Sequence, residues 1–440
     1  MSRSPVNPAA RGLAPKLGTF DAILIVMGGI IGSGIFATPS VVAARVGSAP
    51  AIVAAWALGG LIASIGGFVF AELAWRRPAS GGLYGYMRDA YHPVVAFMYG
   101  WTALLISQSG GMAAAAITFG SYVAPSLGGA ANAPLFAIAS IALLTAINCF
   151  GVREGGNVQN VLMLLKIGVI VAVIVAGAVA PVATHVAATT FVAAGFGAAM
   201  VPVLFAYDGF QTATFVDGEV RDPKRTMSRG LMWGVAAVVV LYMAVTLAGL
   251  RTLGTHGLGA TATPASQIMQ IAFGSIGAHV VVVGVALSTF GFLSNQVLTS
   301  PRIYFAMARD GLFFKGVARV HPRTQVPVVA IVLQGIVAIV ITLSGRYDQI
   351  LNYVTSIDFV FMALAAGAVI IFRRRGTGAE ASGISVPGHP WTTAFFLVAS
   401  IAIVINTLVA FPGDTLIGLA LLVLGAPVYV IWKRFSRERP

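Results

Sequence analysis

Two short stretches carry the residues whose types and spacing could do chemistry. GGIIGSGIF, Gly28 to Phe36, packs four glycines and one serine into positions 28 to 34, and VLFAYDGFQTATF, Val203 to Phe215, sets the acid Asp208 against Gly209. Neither is a catalytic constellation. No nucleophile elbow or clustered acid–base set accompanies them, and the six histidines lie in or near loops without ligand spacing, which argues against an enzyme and against a metal site. Binding is the chemistry that remains. Gly32, Ser33 and Gly34 in succession have no reason to stay helical. An unwound point leaves two half-helices whose facing ends offer free N–H groups on one side and free carbonyls on the other. The half-helix beginning near Gly32 suits a carboxylate, because its amides and its dipole both favour an anion. The carbonyls around Ile30 suit an ammonium group, and glycine lets a ligand come close to the backbone. Close helix packing is the competing explanation, since Gly28 and Gly32 alone make a G-x-x-x-G.

The elements that must position these residues lie in lipid. The chain has 440 residues, 58% hydrophobic and 9% charged, with a mean hydropathy of +0.90. Such a chain is an integral membrane protein. Apolar runs of the ~20 residues that cross hydrocarbon recur throughout, and about ten-residue alternation of the barrel kind does not. The reading is all-α, with about twelve spans near 20–44, 50–75, 94–124, 133–150, 157–180, 194–217, 230–250, 271–307, 326–344, 350–372, 391–411 and 414–433. The first span is too long, and lacks the small-residue cleavage site, to read as a removed leader.

The +13 net charge raises the question of nucleic acid, and the placement of the basic residues answers it. Of 27 lysines and arginines, 23 fall in segments on the N-terminal side of the membrane and three (Arg45, Arg251, Arg346) on the other, while Lys166 lies inside a span. This is the positive-inside pattern. It predicts cytoplasmic termini and a basic face toward anionic lipid rather than nucleic acid. The single cysteine, Cys149, allows no intramolecular disulfide.

Both glycine-rich stretches sit at membrane depth, where unwound backbone survives only beside protein or a water-filled cavity. Gly32 and Phe205 are 173 residues apart, which leaves five spans in each of two units and one break at the start of each. That is the pattern of an inverted-repeat transporter with discontinuous helices 1 and 6. The corresponding organisation is a tail at 1–19, a ten-helix core at 20–372, a loop at 373–390, helices 11 and 12 at 391–433 and a tail at 434–440. Phe205, beside the second break, reads as core filler or as a gate over a ligand. Lys166, about ten residues into its span, reads as snorkelling, as an ammonium holding a helix terminus, or as a titrating lysine. Asp208 and Asp358 are intramembrane acids, and Asp358 has no evident partner in the sequence.

Four motifs now carry a resemblance: GxIIGSGIF, PASGGLYGYMRDAY, FAYDGFQTATFVDGEVRDPKR and LSTFGFLSNQVLTSPRIYFAMARDG. From about Lys16 to Arg375 the chain resembles the amino acid, polyamine and organocation superfamily, and within it the bacterial relatives of the L-type amino acid transporters. The resemblance implies a leucine-transporter-type fold of two inverted five-helix repeats plus two helices, in the inner membrane, with no cofactor. It implies that Gly32, Ser33 and Gly34 bind the substrate α-carboxylate, and that the carbonyls of Ile30, Phe205 and Asp208 hold the α-amino group. Phe205 would gate, Gln211 would face the substrate side chain, and Lys166 would stand where sodium-coupled relatives bind an ion. Leu83 departs from the Asp common in SGGLY. Asn295 and Gln296 are bulkier than usual and would narrow the side-chain pocket or add hydrogen bonds. With no outer cysteine, no disulfide-linked ancillary subunit is expected. The implied activity is sodium-independent transport of a neutral amino acid, by exchange or proton symport. A cationic amino acid or polyamine is the alternative, and a sensor or channel is the reading from a different class.

Overall fold

The computed structural model describes residues 17–32, 34–78, 81–127, 129–183, 193–261, 263–344, 347–378 and 383–437. Its helices are α1 (Thr19–Ile30), α2 (Gly34–Val46), α3 (Ala49–Arg76), α4 (Leu83–Ala90), α5 (Pro93–Thr102), α6 (Gln108–Leu127), α7 (Ala133–Cys149), α8 (Val152–Val179), α9 (Ala193–Tyr207), α10 (Pro223–Ala260), α11 (Pro264–Thr299), α12 (Pro301–Arg309), α13 (Val328–Ser344), α14 (Tyr347–Arg374), α15 (Trp391–Ala410) and α16 (Pro412–Arg437). A π-helical turn, Ala103–Ser107, joins α5 to α6, and a 3-10 segment, Phe210–Glu219, follows α9. Among the described residues, eight helical stretches are long and apolar enough to cross a membrane, and Thr19–Ile30, Ala133–Cys149 and Val328–Leu343 are shorter apolar helices. The protein is a multi-pass membrane protein, and each of the twelve expected segments meets a helix or an interrupted pair.

Both expected interruptions are present, with one shift. α1 ends at Ile30, and Ile31 turns extended at φ −75°, ψ 101°. The second interruption falls at Asp208 and Gly209 rather than near Phe205, because α9 runs helically through Pro202 to Tyr207. Proline inside a helix removes the donor owed to the carbonyl four residues back. That carbonyl belongs to Ala198, and Arg45 of α2 satisfies it with an Nη1 donor at 2.6 Å. The chain leaves the helix at Gly209, whose φ of +105° favours glycine.

The two interrupted elements are stitched together at one end of the bundle. Leu17 donates to the Glu219 carbonyl at 3.0 Å and accepts from Arg221 N at 2.9 Å. Asp21 accepts from Gly18 N at 2.8 Å and from Asn160 of α8 at 2.7 Å, which starts α1 with a negative charge at its N-terminus. The same end gathers the ionic groups. Glu219 and Arg302, each at most 1% exposed, pair at 2.7 and 3.2 Å, and Arg302 also donates to the Leu298 carbonyl. Glu72 accepts from Arg76, Arg373 and Val386 N at 2.6 to 2.7 Å. Arg88 and Tyr84 hold Asp310 at 2.6 and 2.8 Å. Leu83, the departure from the SGGLY pattern, is buried at the start of α4. α15 and α16 bury the least of their surface and lie at the periphery.

Removing one partner of a fully buried pair strands the other's charge, at about 3–5 kcal/mol. Glu219→Gln is therefore expected to lower the melting temperature of the detergent-solubilised protein sharply. A double Glu219→Gln, Arg302→Met variant is expected to recover much of the loss, and a single variant that melts like the parent would show that the pair carries no stability.

Candidate functional site

The interruptions meet. The backbones of Gly29 and Gly209 lie so close that a Cβ on either would run into the other's carbonyl. Beside this crossing is a cavity of about 70 Å³, several times the ~10–15 Å³ that one water needs on the same measure. It is bounded by Gly29, Ile30, Gly32 and Gly34 from the first interruption, and by Phe205, Asp208, Gly209, Gln211 and Thr212 from the second. α14 adds Val354 and Asp358, and α11 adds Phe292 and Gln296.

The glycine run divides by role. Gly28 is a packing glycine, because a Cβ there would strike the side-chain amides of Gln159 and Asn295. The packing explanation thus holds at that position. Gly32 and Gly34 are different: a Cβ would meet the Phe292 ring at 3.6 Å at the first, and Ala206 at 3.5 Å and Thr38 Oγ1 at 3.7 Å at the second, ordinary contacts at the edge of the cavity. Ser33 lies outside the described residues.

Three consecutive carbonyls at the end of α1 are each held by a side chain from a different helix. Ile30 accepts from the Tyr242 hydroxyl of α10 at 3.3 Å, Ile31 from the Lys166 ammonium of α8, and Gly32 from Ser288 of α11 at 2.9 Å. Lys166 is fully buried. It stands behind the interruption with its Nζ on the Ile31 carbonyl and does not line the cavity. Each carbonyl has a second lone pair, which leaves Ile30, on the cavity wall, able to accept from an ammonium as well.

Asp208 Oδ1 accepts from Gly209 N at 2.7 Å and from Gln211 Nε2 at 3.3 Å, so this carboxylate closes the start of the 3-10 segment. The Gln211 amide oxygen and the Gln296 amide oxygen have no hydrogen-bond partner. Both belong to cavity-lining side chains that are at least 95% buried, and each awaits a donor. Gln296 is itself positioned by its Nε2, which donates to Gln108 Oε1 at 3.1 Å. Asn295 does not reach the cavity: its Nδ2 donates to the Ile25 carbonyl at 2.6 Å and anchors α1 to α11.

The structure therefore brings Ile30, Gly32, Gly34, Phe205, Asp208 and Gln211 together around one cavity, and sets Asn295 and Lys166 behind its wall. Sequence reading left Ser107, Gln108, Gly111 and Phe292 unnamed. Ser107 closes the π-helical turn and Gln108 follows it. Such a turn marks many functional sites, but it leaves no spacing signature. Among the described residues no cluster of histidine, cysteine or acidic residues could hold a metal ion.

The arrangement is a small cavity between two interrupted helices. The sequence profile described as amino acid permease matches residues 17–426. The chain belongs to this family of amino acid transporters. It is 33% identical over 437 residues to the serine/threonine exchanger SteT of Bacillus subtilis, covering 96% of this chain and 98% of that one. It is 27% identical to the mouse b(0,+)-type amino acid transporter 1, over 82% of this chain and 76% of the other. It is 27% identical to the rabbit large neutral amino acids transporter small subunit 2, over 95% and 80%.

Two glycines of the permease separate a binding role from a folding role. Gly34→Leu has room to fold and fills the cavity, so it is expected to weaken amino acid binding by more than about tenfold, or about 1.4 kcal/mol, with the melting temperature held. Gly209→Ala is expected to unfold the crossing, because a side chain at that φ is strained and meets the Gly29 carbonyl. Ligand-binding and melting assays on both purified variants check the contrast.

Proposed function

We propose that the permease is a sodium-independent exchanger of small neutral amino acids, with proton symport as the alternative coupling mode. The observation that carries this reading is the pair of opposed helix ends around one small cavity, with the Lys166 ammonium bonded to the Ile31 carbonyl. That amino group occupies the helix end that a sodium ion would otherwise meet. The amides from Gly32 through Ser33 to Gly34 take the substrate carboxylate, and the carbonyls of Ile30, Phe205 and Asp208 take its ammonium. Gln211 and Gln296 read the side chain through their unpaired amide oxygens, and Phe205 closes over it. The size of the cavity and its amide and hydroxyl lining favour a side chain about as large as that of serine or threonine. The near full-length likeness to a serine/threonine exchanger supports the same choice. The b(0,+)-type relative and the acid in the wall keep a cationic substrate as the second reading.

The same reading places the protein in a bacterial inner membrane as twelve helices, ten of them in two inverted five-helix repeats over residues 20–372. Both termini are cytoplasmic, by the distribution of basic residues. Lipid is a further partner, and no disulfide-linked subunit is assigned, because the one cysteine, Cys149, falls at the cytoplasmic end of its span on this reading. Amino-acid-dependent movement, not signalling, is the output.

The test is uptake of labelled serine, alanine, leucine and arginine into proteoliposomes, sodium-free, with the lumen either empty or preloaded with unlabelled amino acid. Uptake of serine and alanine only into preloaded vesicles, unchanged by added sodium, is the expected result. Accumulation in empty vesicles under an inward proton gradient would replace exchange by symport, and saturable binding without movement would replace transport by sensing.

A further inference from the structure

The cavity wall contains a feature that backbone recognition of a zwitterion does not use. Asp358 of α14 and Asp208 line the same small cavity. Asp358 is 9% exposed. Among the described residues neither carboxyl is in an ion pair with a lysine, arginine or histidine, although the chain is strongly basic overall. Their neighbours are neutral. Gly209 N and Gln211 hydrogen-bond Asp208, Ser107 of the π-helical turn lines the same cavity, and the phenols Tyr99 of α5 and Tyr304 of α12 are buried in the same bundle. Lys166 Nζ donates to the Ile31 carbonyl and does not line the cavity. Two carboxylates on one small buried cavity repel each other, and one proton held by the pair relieves this.

Resting on the transport reading above, we propose that Asp208 and Asp358 form a one-proton site in the substrate cavity, and that a neutral amino acid is bound with this proton in place. A neutral side chain that fills the cavity removes water from the carboxyls, which strengthens their hold on the proton. By linkage, binding a neutral substrate takes up a proton, and its affinity falls as pH rises through the titration of the pair. An ammonium or guanidinium side chain does the reverse, since it neutralises the pair itself and displaces the proton. The net charge of the loaded cavity is thereby the same for both substrate classes.

Other acids do not supply this signature. Asp89, in the cluster with Arg77 and Arg88, is pushed up by its burial, but the hydrogen bonds from Arg88 and Arg77 outweigh that and hold its carboxyl below the usual range. Its stabilisation is present above the unfolded-state value and is lost only as pH falls through the lower folded one, in acid.

The test measures binding of serine, alanine and arginine to the full-length permease from pH 5.5 to 8, and counts protons exchanged per amino acid bound with a pH dye in weakly buffered solution. The expected result is uptake of up to one proton with serine or alanine, with affinity falling toward tenfold per pH unit on the alkaline side, and proton release with any arginine bound. Asp358→Asn is expected to flatten the serine profile, whatever its absolute affinity, and Asp208→Asn is a second variant should the first fail to fold. Absence of proton uptake by the parent overturns the site even if neither folds. Serine binding without proton uptake, or a variant that keeps the parental slope, overturns the site and leaves the transport reading intact; no binding of any amino acid at any pH overturns both.

Discussion

In the middle of a bilayer no water is available to a broken helix, and the rest of this structure follows from that constraint. A carbonyl stranded in hydrocarbon costs several kcal/mol, and the end of α1 strands three in a row. Tyr242, Lys166 and Ser288 meet them from α10, α8 and α11. Three helices are thus tied to one peptide stretch by polar bonds in a protein whose other contacts are largely apolar. The second interruption solves the same problem from within, with the Asp208 carboxylate closing its own 3-10 segment. Where the two interruptions cross, only glycine fits on either side, so Gly29 and Gly209 let the backbones touch and the cavity forms beside them.

Polar side chains that look like ligand contacts are therefore shared between two tasks. Asn295 and Lys166 bond to the backbone of α1 and hold the interruption open from behind. Gln211 and Gln296 each spend their amide nitrogen on a neighbouring side chain and leave the oxygen free. A buried acceptor without a donor carries a desolvation cost of about 1–3 kcal/mol, and a solute that brings an N–H or O–H relieves it. The first group supports the site and the second faces its contents.

The split explains what could be read from the sequence. Membrane depth, the helix segments and both interruptions were legible, because apolar run length and glycine clustering are local signals. The exact place of the second interruption was not. Pro202 looks like a helix breaker, yet Arg45, 157 positions earlier in the chain, supplies the donor that lets α9 continue. Asn295 and Gln296 are adjacent, and only the rotation of α11 decides that one anchors α1 while the other lines the cavity. Ser107 and Gln108 depend on a π-helical turn in an otherwise ordinary apolar stretch. Asp358 showed no partner in sequence because Asp208, 150 positions earlier, reaches the same cavity from another element.

Division of labour between backbone and side chains also bears on substrate range. Helix ends recognise the carboxylate and ammonium that every amino acid carries, so on the proposed reading they contribute affinity without choosing among substrates. Choice falls to the few side chains of α6, α11 and α14 and of the second interruption that complete the wall. Of the elements that carry them, α14 and the second interruption are tied by Glu72–Arg373 and Glu219–Arg302, whereas α11 also holds the carbonyls of Ile25 and Gly32 through Asn295 and Ser288. A change in the α14 wall can then alter which amino acid is accepted without disturbing the interruption that binds its common end, because the two are held by different bonds, and a change in α11 disturbs both.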